Sequence, residues 1–109
     1  MIIIKRNMSF TQKEAIAFVQ NAQAKSRQGD YKGALKDFTV FLSYAQETEN
    51  AAWEAAAYGN IGNAHDSLGN YQDALKYHHK ELENALQLGD KGGEGTAYGN
   101  IGASQKMYT

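Results

Sequence analysis

Apolar residues recur three or four positions apart along most of this 109-residue chain, the spacing that lines one face of an α-helix. Ala15, Phe18, Val19 and Ala22 mark a first face, and Tyr31, Ala34, Leu35, Phe38, Phe41, Leu42 and Ala45 a second. Trp53, Ala57, Ile61, Ala64 and Leu68 form a third. Tyr71, Ala74, Leu75, His78, Leu82, Ala85 and Leu86 form a fourth, and a fifth helix is predicted from about Lys91. Thr11-Gln12-Lys13-Glu14 reads as a capping box that opens the first helix. Gly29, Gly69 and Gly89 supply stops, and Asp30 and Asn50 supply caps for the helices that follow. Ile2-Ile3-Ile4 is the one β-like run, and it lacks a partner strand.

The pattern repeats. Ala57-Tyr58-Gly59-Asn60-Ile61-Gly62 recurs letter for letter as Ala97-Tyr98-Gly99-Asn100-Ile101-Gly102, 40 residues on. At the same offset Gly29-Asp30-Tyr31 aligns with Gly69-Asn70-Tyr71, and Ala34-Leu35-Lys36 with Ala74-Leu75-Lys76. The expected organisation is an N-terminal extension over 1–10 and one repeat domain over 11–109, with units at about 11–50, 51–90 and 91–109. Arrays of this kind bury their core between neighbouring units. Short turns make consecutive helices antiparallel. The predicted fold is all-α: a right-handed stack of five antiparallel helices, two full repeats plus the first helix of a third.

Composition narrows the function. Eleven basic and 12 acidic residues leave a net charge of −1 with neither sign concentrated, so nothing attracts nucleic-acid phosphates or an anionic membrane. No apolar stretch approaches the ~20 residues of a membrane span, and the apolar run at the start is too short for a signal peptide. The chain has no cysteine, hence no disulfide, thiolate ligand or cysteine nucleophile; a cytoplasmic location is expected. It also has no proline, and its 11 glycines carry the backbone punctuation.

The residues Tyr58, Ile61-Gly62, His65, Gly69, Tyr71, Ala74 and His78, with Phe18, Ala22, Gly29, Tyr31, Ala34 and Phe38 in the first unit, resemble a tetratricopeptide repeat. Tyr98 and Ile101-Gly102 begin the pattern a third time. Ala22, Gly62, Gly102, Ala34 and Ala74 are small where the two helices of a pair would cross. The usual period of such repeats is ~34 residues and a turn proline follows the second helix; here the period is 40 and the proline is absent. The Gly-Asn-Ile-Gly-Asn wording and the Gly-Asp-Lys turn are similar to the 40-residue repeats of LGN/Pins-type G-protein-signalling modulators. That resemblance implies a non-catalytic adaptor that binds an extended peptide on its inner surface. Its groove positions fall here on Val19, Gln20, Gln23 and Arg27; on Gly59, Asn60, Asn63, Asp66 and Ser67; and on Gly99, Asn100, Ala103 and Lys106. Side-chain amides offer both a donor and an acceptor to a peptide backbone. Gly59 and Gly99 are expected to leave the groove floor bare. The basic residues of a C-terminal carboxylate clamp are missing, since the matching positions are Val19, Thr96 and Asn100.

Other clusters hint at chemistry and are set aside. His79 and Glu83 are i,i+4 neighbours that could share a metal, beside His78 and Glu81. His78 falls on the core aromatic position that Phe38 holds in the first unit, and is expected to pack there with one nitrogen hydrogen-bonded. His65, on the repeat's tyrosine position, is expected to be structural too. Every acidic residue is expected on a solvated face, so no catalytic residue, metal or cofactor is assigned. Gly92-Gly93-Glu94-Gly95 resembles a phosphate loop but follows no strand and lacks the lysine and Ser/Thr. Trp53 and the tyrosines could stack nucleic-acid bases, but no positive groove accompanies them.

The chain stops one helix into its third unit, with Tyr98, Ile101, Met107 and Tyr108 on the last helix. Either it belongs to a longer array or another chain covers the open end. The leading expectation is a scaffold for a protein or peptide partner. The alternative is a self-assembly module that oligomerises through its terminal helices, with helix swapping as one route. An enzyme is a distant third.

Overall fold

Four times along the chain, one helix ends and the next begins by the same device. Gly29, Glu49, Gly69 and Gly89 adopt positive φ angles of 84°, 54°, 80° and 66°. The N–H of the next residue then reaches back five positions: Asp30 to the carbonyl of Lys25, Asn50 to Ala45, Asn70 to His65, and Asp90 to Ala85, all at 2.8–3.0 Å. This is the Schellman closure, which satisfies helix carbonyls that would otherwise be orphaned. The same residue then serves the following helix. The side-chain oxygens of Asp30, Asn50 and Asp90 accept the backbone N–H of Gly33, Trp53 and Gly93. Asn70 makes no such capping bond; its amide donates to Nδ1 of His65 at 3.4 Å.

The computed structural model describes residues 11–108. The sequence-predicted extension with Ile2-Ile3-Ile4, and Thr109, lie outside the described residues. Five helices result: α1 (Gln12–Arg27), α2 (Tyr31–Glu47), α3 (Ala51–Ser67), α4 (Tyr71–Leu88) and α5 (Lys91–Tyr108). The described residues contain no strand. The capping box at α1 forms in full, with Thr11 Oγ1 accepting from the Glu14 N–H at 3.3 Å and Glu14 Oε1 accepting from the Thr11 N–H at 2.8 Å. Gly92, Gly93 and Gly95 lie in the opening turns of α5, as a helix start rather than a loop.

Each helix packs against the next in sequence, and α3 also touches α5. The layer α1–α3–α5 is thus bridged by α2 and α4, in a body of 53 × 33 × 20 Å. One core cluster joins Ala15, Phe41, Tyr44 and Ala57, edged by Trp53. A second joins Ala22, Ala34, Phe38 and Ile61. Val19 and Leu42 pack against both. The small crossing residues Ala22, Ala34 and Ala74 are fully buried, which lets the helices approach closely. Trp53 lies 5.3 Å from the Phe41 ring and 6.0 Å from Tyr44, so it is a core aromatic and not a stacking platform.

Glu49 takes the left-handed position that glycine holds at the other three turns. A side chain in the left-handed region costs about 1–2 kcal/mol, partly offset by the lower entropy of a non-glycine unfolded chain. Replacing Glu49→Gly should therefore stabilise the fold by about 0.5–1 kcal/mol, read as a higher denaturant midpoint at unchanged m-value.

Candidate functional site

The densest polar cluster joins α3, α4 and α5 and is largely interior. His78 of α4 is fully buried. Its Nε2 lies 3.2 Å from Asp66 Oδ2 of α3, and its Nδ1 lies 3.2 Å from Glu81 Oε1, one turn along α4. From α5, the Ser104 hydroxyl donates to both Asp66 oxygens at 2.8 and 2.9 Å. Asn100 donates its amide to Glu81 Oε1 at 3.3 Å. Ionised carboxylates only accept, so both bonds form together when both imidazole nitrogens carry protons. Burial pulls the His78 pKa down, but the hydrogen bonds it donates to Glu81 and Asp66, with their charges, outweigh it and hold the pKa above its ordinary value.

Two glycines one turn apart make room for this cluster. A Cβ on Gly62 would stand 2.5 Å from His78 Cε1, and one on Gly59 2.7 Å from Glu81 Oε2. In the first unit the positions 40 residues earlier are Val19 and Ala22, facing Phe41 and Phe38. Asp66 and Ser104 correspond to Ser26 and Ala64. One repeat junction is therefore apolar and the next is ionic at the same positions.

Three expectations are corrected here. His78 engages both ring nitrogens, not one. Glu81 is buried and Asp66 half-buried, so the acidic residues do not all lie on solvated faces. Gly59 does not floor an open groove, because the Glu81 carboxylate covers it. A signal was present in the sequence: Glu81 stands 40 residues after Phe41, a core-face residue. His65 is structural as expected, stacked on Tyr77 with ring centroids 5.6 Å apart and an interplanar angle of 11°.

The remaining groove positions divide. Gln20, Gln23 and Arg27 on α1, Asn63 and Ser67 on α3, and Gly99, Ala103 and Lys106 on α5 all lie exposed at the surface. Asn60 is half-buried. Asp66 and Asn100 belong to the buried cluster, and Val19 packs into the core. In chemical terms the cluster is a clamp. The Ser104 hydroxyl donates to Asp66 rather than to the imidazole and is buried, so the Ser, His and Asp do not form a nucleophilic relay. Among the described residues no group of three or more His, Cys, Asp or Glu is placed to hold a metal ion. None of the described helices is long and apolar enough to cross a membrane.

Helical hairpins stacked in sequence order, with small residues at each crossing, define a helical-repeat protein. The family model described as tetratricopeptide repeat matches residues 13–87, and the chain belongs to that family. No curated protein matches it significantly.

The two glycine positions give opposite expectations. A Cβ at Gly102 meets nothing within 4 Å, so Gly102→Ala should gain up to about 1 kcal/mol of helix propensity. Gly62→Ala must displace a ring held at both nitrogens. It should lose about 1–2 kcal/mol, within the cost of overpacking a core. Parallel urea titrations of the two variants measure both signs.

Proposed function

We propose that this chain is a non-catalytic scaffold that holds an extended peptide segment across the outward faces of α1, α3 and α5. Tetratricopeptide repeats generally mediate protein–protein interaction. The observation that carries the finer reading is the set of surface amide and cationic side chains on these three helices: Gln20, Gln23 and Arg27, then Asn63, then Lys106. Amides satisfy the donors and acceptors of an extended backbone. Arg27 and Lys106 favour a segment with carboxylates at its ends. The 40-residue wording of the repeats favours a kinship with LGN/Pins-type adaptors.

Self-association through the terminal helices is the second reading. Its support is the exposure of Tyr98, Met107 and Tyr108 on α5 with Leu86 and Leu88 at the end of α4. Exposed apolar side chains on the last two helices suit an interface between copies. A monomer at high micromolar concentration by sedimentation would rule this reading out.

The groove reading is tested away from the buried cluster. A peptide selected from a displayed random library should lose roughly thirtyfold in affinity for the Gln20→Ala, Asn63→Ala double variant, at about 1 kcal/mol per hydrogen bond removed. The melting temperature should stay within a few degrees, because both side chains are exposed. Full affinity in that variant, across independently selected peptides, sinks the reading.

A further inference from the structure

We propose that the Asp66–His78–Glu81 cluster is a proton-operated latch that fastens α5 to the α3–α4 pair. α5 buries few side chains of its own. Its buried residues are Ala97, Ile101 and Ser104, so a single large buried apolar side chain docks this 18-residue helix. Polar bonds add to that hold: Ser104 on Asp66 and Asn100 on Glu81. Both carboxylates are in turn held in place by His78. No side chain of α5 touches the imidazole in these bonds; α5 is fastened through the acids that the imidazole positions.

The groups facing the ring are few. Asp66 comes from α3 and Glu81 from α4 itself, while α5 brings the neutral Ser104 and Asn100. With His78 protonated, the cluster holds one cation between two anions. When His78 gives one ring proton to solvent, one carboxylate faces a nitrogen lone pair and two like charges remain in a largely buried space. Separating them draws Asp66 or Glu81 away, and with it the partner on α5. The turn at Gly89, in the left-handed region at φ 66°, is where α5 joins α4 and where it would swing. The first repeat junction has Phe38 and Phe41 at the matching positions and has no such dependence on a proton.

The direction in pH follows from linkage. A histidine raised above its ordinary value of 6.5 contributes its full stabilisation below that value. The contribution is lost as pH rises through the folded-state pKa. As pH rises from 6.5 through the folded-state pKa, the opening equilibrium of α5 rises, by no more than about tenfold for every pH unit. The latch works in this way whether or not a peptide binds the outward faces.

The test uses the intact chain. Ring-nitrogen NMR follows the protonation of His78, and amide hydrogen exchange, corrected for intrinsic rate, follows the opening of α5 at Asn100, Ile101 and Ser104. The α1–α2 amides serve as the internal reference. The expected result is a His78 titration above pH 6.5, with α5 opening that climbs with pH up to that midpoint by no more than about tenfold per unit, while α1–α2 opening stays level. The His78→Gln variant, which donates to one carboxylate but does not titrate here, should flatten the pH dependence of α5. Opening of α5 that is level in the native chain across the His78 titration overturns the proposal. So does an unchanged pH dependence in His78→Gln. If that variant does not fold, the native titrations alone decide, because α5 opening that does not level off at the His78 midpoint overturns it equally.

Discussion

The structure depends on one turn. A helix that ends in a left-handed residue, closed by a backbone bond five positions back, can restart at once if the closing residue also caps the next helix. Asp30, Asn50 and Asp90 do both, and Asn70 does the first. With left-handed residues at 29, 49, 69 and 89, each helix is limited to 16–18 residues. That is about 24–27 Å of rise. Equal helices joined by equal turns present equivalent faces at equal intervals, so the same sequence position meets the same neighbour in every unit. The repeat in the letters is a consequence of the repeat in the turns. Glu49 shows that the geometry outranks the residue: the turn forms there without glycine.

Equivalent faces need not carry equivalent chemistry. The first junction is filled by Phe38 and Phe41 against Ala22, Ile61, Ala15 and Ala57. Dispersion and burial hold it, and they are indifferent to pH. The second puts His78 and Glu81 in the same slots, opens space for them with Gly59 and Gly62, and adds Asp66 and Ser104 around them. A buried ion group of this kind adds little net stability over apolar packing, but it is costly to leave half-made. The two ends of one short array are therefore fastened by different physics.

Much of the fold was legible because it rests on local chemistry. The capping box at Thr11, the Asp30 and Asn50 caps and the glycine stops are signals within a few residues, and all of them form. The core faces read from helical spacing hold, with Ala22, Ala34, Phe38, Ile61 and Ala74 buried, except at the end of α4, where Leu86 is exposed because none of the described helices packs over it. What the sequence hid was the neighbour across the helix pair. Gly59 looked like an open floor because glycine leaves space, and the space is taken by Glu81 from α4. The acids were assigned to solvent by type, whereas the 40-residue offset places Glu81 where Phe41 sits. Composition misled there and the repeat register would have corrected it.

The two copies of Ala-Tyr-Gly-Asn-Ile-Gly make the same point within six letters. In the copy at 57–62, Gly59 and Gly62 lie under Glu81 and the His78 ring. In the copy at 97–102, Gly99 and Gly102 meet nothing, and Asn100 reaches back to Glu81. For Asn60 the position matching Glu81 is Phe41, whose ring has no carboxylate to accept such a bond. Identical residues in identical helices thus take different roles because the side chains opposite them differ. A motif in an array specifies a shape of slot. Its role is set by whichever residue the neighbouring helix puts into it, so role assignments must be made junction by junction and not copied along the repeat.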